Sequence, residues 1–478
     1  MKYEPVIGLE THVELASKSK VFCRCKAEFG GQPNSYVCPV CLGLPGTLPV
    51  LNKISMEMSL IVALALHCDI PEVTIFDRKN YYYPDLPKNY QISQEYCPLA
   101  RNGRLTIQLK DEREKEIGIH NIHLEEDAGK NFHSTGGKQP TTLVDLNRAG
   151  TSLLEIVSQP DLRNAEETEA FMQTVRCLLR YLEVSDCKMQ EGSLRFELNI
   201  SLRPCGVQEY GTKVEVKNVG SVKAVLRALD YEMARQAEIL DEGGRVVQET
   251  RLWDDTRGET RPMRVKEGAK DYRYFPEPDL LPVRLEREYL DALKNRLPEL
   301  RDAKCRRFIE TYQIPPYDAG VLAADKTVAD FFEECCRLHA APKTFSNWIM
   351  VHILRELRED SEIGDLPITP QHLAELVRLV ESDAINSNIA KKVITEMMKT
   401  GNMPADIVKE KGLEAVSDSG EIEQFVEETI AENPGPAEEF KDGKDKAMNF
   451  LLGQVMRKSR GKADPQLVQE LLRQKLRG

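Results

Sequence analysis

No uninterrupted apolar run of about 18 residues occurs in the sequence, so no membrane-spanning helix is expected. The first residues, Met1 to Glu10, lack the basic start and apolar core of a signal peptide, and a cytoplasmic location is the expectation. Positive charge is also short: 65 Lys and Arg against 77 Asp and Glu leave a net charge of -12. That excludes a chain that binds nucleic acid with its whole surface, though not one with a local basic patch. Twelve cysteines in 478 residues are too few for a disulfide scaffold. Clustered cysteines then suggest metal and scattered ones core, and the adjacent Cys335 and Cys336 read as core. The common nucleotide and hydrolase fingerprints are missing: there is no G-x-x-x-x-G-K-[ST], no G-x-G-x-x-G, no H-E-x-x-H and no G-x-S-x-G. No internal repeat or low-complexity tract is evident.

What is present falls into three styles. Residues 1 to about 290 alternate in short runs (Val6 to Leu15, Gly103 to Lys110, Glu116 to Asp127, Gly192 to Leu202, Thr212 to Lys217), which predicts strands. Helical spacing marks Ile54 to Leu66, Ala165 to Leu182 and Val222 to Leu240. The mix indicates an α+β fold with a largely antiparallel sheet. After Glu277-Pro278-Asp279-Leu280-Leu281-Pro282 the pattern turns helical. Leu322, Val328, Phe331, Phe332 and Cys335 recur at helical steps, as do Phe345, Trp348, Ile349, His352 and Ile353. The expected domains are 1–290, 291–405 and a helical tail, 406–478. From Lys441 to Gly478 ten Lys or Arg face four Asp or Glu, a local balance of 10 − 4 = +6. Ala447, Phe450, Leu451 and Val455 form an expected apolar stripe, with Lys444, Lys446, Arg457, Lys458, Arg460 and Lys462 around it. Such a tail suits either nucleic-acid contact or a solubilising surface.

The strongest chemical signal is Cys23-x-Cys25 followed, twelve residues on, by Cys38-x-x-Cys41. Two close thiol pairs suit a tetrahedral Zn2+ ion, and four cysteines leave no open position for water, so the expected role is structural. The alternative is four reduced thiols without metal. A second signal is carried by acids. In β geometry Glu10, His12 and Glu14 share one strand face, which suits either a solvated surface or a site. The run His123-Leu124-Glu125-Glu126-Asp127 again gathers hard ligands. Glu155 lies inside Leu153-Leu154-Glu155-Ile156-Val157, where burial is costly unless a cation meets it; a plain salt bridge to Arg or Lys would also serve. Glu10, Glu125 and Glu155, with His12 beside them, would suit magnesium, which favours carboxylates and substrate phosphates. Lys79, Arg195, Lys217 and Asn218, the last opening a helix, supply groups for a triphosphate. Cross-strand ion pairing is the alternative for these.

The segments Ile7-Gly8-Leu9-Glu10-Thr11-His12-Val13-Glu14-Leu15, Asp77-Arg78-Lys79-Asn80-Tyr81, Tyr83-Pro84-Asp85-Leu86-Pro87-Lys88, His123-Leu124-Glu125-Glu126-Asp127-Ala128-Gly129-Lys130, Asp271-Tyr272-Arg273-Tyr274-Phe275-Pro276-Glu277-Pro278-Asp279-Leu280 and Gly453-Gln454-Val455-Met456 resemble the GatB family, the tRNA-handling subunits of the aspartyl/glutamyl-tRNA(Asn/Gln) amidotransferases. The resemblance implies a cradle-shaped catalytic domain, a helical domain and a tail that binds tRNA. It also implies a complex with an amidase partner and a small third subunit, acting on misacylated tRNA(Gln) or tRNA(Asn). The implied activity is that of a glutamine-hydrolysing ligase, with ATP and magnesium at Glu10, His12, Glu125 and Glu155. Ammonia must then come from the amidase partner, because no nucleophile signature is present here. One departure from the family pattern is Glu197, where aspartate is expected. An archaeal-type paralogue with a large insertion is disfavoured, since about 70 residues separate Asp271–Leu280 from the helical stretch at Trp348. The competing reading is a non-catalytic zinc-containing adaptor that binds tRNA.

Overall fold

The structure is a computed structural model, which describes residues 2–134, 141–265, 272–357, 361–414, 419–441, 445–459, 462–463 and 465–477. The chain forms two compact units, Met1–Leu300 and Arg301–Gly478. Among the described residues no helix is long and apolar enough to cross a membrane.

In the first unit β1 (Tyr3–Glu14) is followed by β2 (Val73–Thr74), β3 (Asp77–Asn80), β4 (Tyr90–Ser93), β5 (Ala100–Gln108), β6 (Glu114–Glu126), β7 (Lys130–Ser134), β8 (Thr141–Asp145), β9 (Ser152–Ser158), β10 (Leu194–Pro204), β11 (Val214–Val219), β12 (Glu249–Asp254), β13 (Glu259–Val265), β14 (Phe275–Pro276) and β15 (Val283–Arg284). Eight of them make one sheet in the order β13-β12-β11-β10-β1-β9-β6-β5. Every neighbouring pair is antiparallel except β11–β12. This is the largely antiparallel α+β architecture expected from the alternation.

Period-two patterning separates the two faces of the central strands. Leu9 and Val13, Ile122 and Leu124, Leu154 and Ile156, and Leu198 and Ile200 are all buried. Their core is completed by α1 (Lys53–Ala65), α2 (Ala165–Tyr181) and α3 (Val222–Asp241), with α4 (Arg287–Lys294) adding Leu293. Each of the three long helices starts at a polar cap: Asn52, Asn164 and Ser221 accept from backbone amides of the first turn. Between β1 and α1 the chain has no strand or helix, only turns and isolated bridges. A small sheet, β14-β3-β4, meets the end of β6, where Gln91 Nε2 donates to the Glu126 carbonyl at 2.7 Å and the Ile92 amide donates to Glu126 Oε1 at 2.9 Å. Leu290, Leu297 and Leu300 pack on this first core, so the unit runs past residue 290.

The second unit is helical: α5 (Arg301–Tyr312), α6 (Pro316–Leu322), α7 (Lys326–Leu338), α8 (Pro342–Trp348), a π-helical turn Ile349–Ile353, α9 (Pro370–Glu381), α10 (Ser387–Thr400), α11 (Pro404–Glu410), α12 (Ser419–Glu432), α13 (Pro434–Lys441), α14 (Asp445–Lys458) and α15 (Pro465–Arg477). It holds two apolar clusters, one from Phe308 to Val408 and one from Ile422 to Leu476. Val328, Phe331, Phe332 and Cys335 are buried as the spacing requires, and Cys335 is core. Ile407 and Val408 of α11 fill the first of these clusters.

One expectation fails. Ala447, Leu451 and Val455 are buried, but Phe450 is 45% exposed. At 100° per residue Phe450 lies well off the line through the other three, and Met448 takes the inward place instead. Lys444 and Arg460 lie outside the described residues.

Candidate functional site

The polar face of the sheet collects the ionisable residues. Register sets His123, Glu155, His12 and Arg195 in one row across β6, β9, β1 and β10. Glu10 stands opposite Glu197, and Asn199 opposite Glu215. Glu155 Oε2 lies 3.3 Å from His12 Nε2 and 3.1 Å from His123 Nε2. Glu125 Oε2 lies 3.7 Å from His123 Nε2 and accepts from Ser93 Oγ at 3.1 Å. One donor atom each from His12, Glu125 and Glu155 falls within 4.8 Å of the others, and so do atoms of Glu10, Glu197 and Glu215. Glu10 therefore belongs to a second cluster of the same face, not to the set of Glu125 and Glu155. His12 and Glu155 keep 13% of their side-chain surface exposed, which leaves the first cluster open to a ligand.

The electrostatics explain how so many acids coexist. Burial disfavours the charge on His12, but Glu155 and then Glu197 outweigh it and raise its pKa to about 9. For His123 burial is likewise overcome, chiefly by Glu155 and Glu125, and its pKa rises to about 10. Glu155, despite burial, is held well below the usual carboxylate range by the two imidazoles. Lys79 enters from β3; burial opposes its charge, yet Glu125 is the main group that keeps its pKa above normal. Its Nζ lies 5.1 Å from the ring centre of Tyr272. In the second cluster Lys217 Nζ pairs with Glu197 at 2.6 Å and Glu215 at 3.0 Å. Asn199 Nδ2 donates to Glu10 Oε1 at 2.9 Å, while its buried Oδ1 finds no partner among the described residues.

Arg195 NH2 donates to Asp127 Oδ2 at 2.9 Å, with Arg148 Nε 3.5 Å from the same oxygen. Glu14, which shares the face of Glu10 and His12, is pushed up to about 8 by burial and then by Asp127. Asn218 joins neither cluster: its φ is +65° and its amide donates to the Trp253 carbonyl at 3.1 Å. His123 bridges Glu125 and Glu155, a role its alternation with Glu125 signals. Glu215, alternating with Lys217, carries the same signal. Ser93 and Asn199 carry none.

Both histidines titrate near 6.5 in an unfolded chain, so their contribution to stability is full below about pH 6.5 and disappears as pH rises through about 9 to 10. Metal-free protein should lose stability between about pH 7 and about pH 9.5, and a divalent cation that replaces the two protons should flatten the loss. Urea melts at both pH values, with and without magnesium, check this. A slope unchanged in the double variant His12→Gln, His123→Gln would contradict it.

The sulfur atoms of Cys23, Cys25, Cys38 and Cys41 lie within 4.8 Å of one another, with Cys38 and Cys41 3.9 Å apart. This group could hold a metal ion.

The class is thus defined: an α+β protein with a four-thiol group of metal-ligand spacing and a histidine–carboxylate centre spread over one sheet face. The chain belongs to the GatB family. A model of the GatB/GatE catalytic domain matches residues 5–291, and one of the GatB domain matches residues 330–476. It is 52% identical over 477 residues to the GatB subunit of the aspartyl/glutamyl-tRNA(Asn/Gln) amidotransferase of Carboxydothermus hydrogenoformans, covering 99% of each chain. The same named subunit of Caldanaerobacter subterraneus is 52% identical over 478 residues, and that of Persephonella marina 50% over 479, each with full coverage. The family read from the sequence segments is the one these comparisons show.

Proposed function

We propose that this chain is the component of a tRNA-dependent amidotransferase that activates the side-chain carboxylate of glutamate or aspartate carried on tRNA(Gln) or tRNA(Asn). The observation that carries the reading is Glu155, held ionised between His12 and His123 and next to Glu125, on the same face as Glu10, Glu197 and Glu215. Five acids concentrated on one face, beyond what cross-strand pairing needs, favour chemistry on a polyanion over a tRNA-binding adaptor.

A carboxylate resists ammonia because its oxygen leaves poorly. In the proposed reaction a carboxylate oxygen attacks the γ-phosphorus of ATP, the bond to the β-phosphate oxygen breaks, and ADP leaves. Ammonia then attacks the carbonyl carbon of the acyl phosphate, and phosphate departs as the amide forms. Magnesium held by Glu125 and Glu155 with His12, and by Glu10 with Glu197 and Glu215, would neutralise phosphate charge when bound. The donor set fits it: clustered carboxylate oxygens plus the unpaired Asn199 oxygen. Lys79 and Lys217 place fixed positive charge beside the two clusters, and Arg195 beside Asp127, where phosphoryl oxygens gather charge. His12 retains its proton at neutral pH while the site is metal-free. So protonated it is a poor base for ammonia and a hydrogen-bond donor, and it would ligate a metal only after losing that proton. Exclusion of water protects the acyl phosphate.

The partners follow the same reading: an amidase that releases ammonia from glutamine, and a small third subunit, in the cytoplasm. Purified complex incubated with Glu-tRNA or Asp-tRNA, ATP and glutamine tests the assignment. Amide formed on either, only with ATP, is the expected result; turnover of neither would end it.

The tail is proposed to bind tRNA. Lys458 pairs with Glu428 and Glu432, and Lys475 with Glu423 and Glu427, so part of its positive charge is already answered within the tail. Because Ile407 and Val408 are needed by the preceding core, the clean truncation removes residues after 414. It should weaken tRNA binding at least about tenfold and spare assembly with the partners. Filter binding that finds the truncated complex as tight as the intact one would contradict this.

A further inference from the structure

Lys20 has none of its surface exposed, although it precedes the first cysteine pair by only three residues. Its Nζ donates to Cys41 Sγ at 3.6 Å and to the Leu146 carbonyl at 3.4 Å. Among the described residues no carboxylate pairs with it. Glu126, whose Oε1 takes Lys88 and the Ile92 amide, makes no ion pair with Lys20 among the described residues. An ammonium buried with only a carbonyl and a neutral thiol is poorly compensated. A metal ion ligated by four thiolates changes this balance, because a divalent ion and four thiolates leave two negative charges in the same volume.

We infer that Lys20 is the counter-charge of the metal–thiolate centre and a positioning residue that ties this centre to the sheet. The inference rests on the reading that the four cysteines hold zinc. The ammonium at 3.6 Å from Cys41 Sγ offsets the excess negative charge of the metal–thiolate group, so the group keeps its metal. Its second bond fixes the turn that follows Leu146. That turn joins the four-cysteine segment to the sheet: the Val21 amide donates to the Gly150 carbonyl at 2.9 Å, and the Gly150 amide donates to the Asp127 carbonyl at 2.8 Å. Gly150 has φ +84°, and a Cβ there would lie 3.5 Å from Cys41 Cβ and 3.6 Å from Lys20 Cδ. The next residues begin β9, which carries Glu155. Metal occupancy is thereby coupled to the strand at the centre of the proposed site. The sequence offers no sign of this, because a lysine beside a cysteine pair reads as surface.

The test compares the full-length protein with Lys20→Met, which keeps the length and removes the charge. Zinc content is measured first, then release to a colorimetric chelator, then thermal melting of zinc-loaded and zinc-stripped protein. Wild type should hold about one zinc ion per chain, and Lys20→Met should release it about tenfold faster or more. After stripping, Lys20→Met should melt no lower than wild type, since the unpaired ammonium is gone; when loaded it should melt lower. Equal release rates, or an equal drop in melting with and without zinc, would overturn the inference and reduce Lys20 to packing. Wild type without zinc would overturn the metal reading and the inference together, whereas zinc-bearing wild type with unchanged release defeats the inference alone. If Lys20→Met yields no folded protein, Lys20→Gln is read in the same way.

Discussion

Glu155→Ala should lower ATP-dependent amide formation on misacylated tRNA by about a thousandfold while tRNA affinity stays within a few-fold. Among the described residues Glu155 is the acid that two imidazoles share, at 3.3 Å and 3.1 Å, so its removal dismantles the first cluster at its centre. It also leaves two histidines without their main stabilising charge, and their pKa values should fall toward 6.5. Breaking such a buried group of charges costs on the order of 3–5 kcal/mol. Glu155→Gln, which keeps the shape and one acceptor oxygen but removes the charge, therefore accompanies it, with melts of both. The same activity loss is expected for Glu125→Ala, which removes the acid that chiefly sustains the charge on Lys79. Parallel loss of tRNA binding and activity would assign these acids to folding instead.

Removal of metal from the four-cysteine group, by chelation or by Cys41→Ser, should unravel the segment between β1 and α1 and lower the melting temperature of the first unit. Structural zinc contributes on the order of 10 kcal/mol where it folds a small segment. Here the dependence is direct. Residues 15–52 have no strand or helix, and their larger core contributions are Leu15, Val21 and Phe22. The helical unit has cores of its own and should melt unchanged. Calorimetry with and without chelator, with zinc content measured in parallel, separates the two transitions. A first transition that ignores the chelator would contradict a structural metal.

Much of this was readable because period two is a local property. The alternation of Glu10, His12 and Glu14, of His123 and Glu125, and of Arg195, Glu197 and Asn199 placed each set on one strand face before any pairing was known. The three long helices of the first unit start and stop within a residue or two of their sequence signals. Which faces meet was not readable. β1 lies between β9 and β10, partners about 150 and 190 residues away, and one register step decides whether Glu10 faces Glu197 or another residue. Two irregularities, between Ile119 and Asn121 in the β6–β9 pairing and between Phe196 and Leu198 in the β10–β11 pairing, shift the registers of the neighbouring strands as well. For the same reason Glu10 joins Glu197 and Glu215, while Glu125 and Glu155 gather with His12. Glu197 is thus placed beside Lys217 and Glu10. Lys20 was invisible for a different reason: a buried lysine is explained only by what surrounds it, and Cys41 and Leu146 are 21 and 126 residues away.

The central claim is that the side-chain carboxylate of the tRNA-bound amino acid is activated by phosphorylation on this sheet face. Isotope transfer tests it most directly. Glu-tRNA(Gln) labelled with oxygen-18 in both side-chain carboxylate oxygens is turned over by the complete complex with ATP and glutamine, and the released phosphate is analysed by mass. One heavy oxygen is expected in each phosphate for each amide formed, and no labelled phosphate from the Glu155→Ala complex. Amide formation accompanied by phosphate free of label would contradict it.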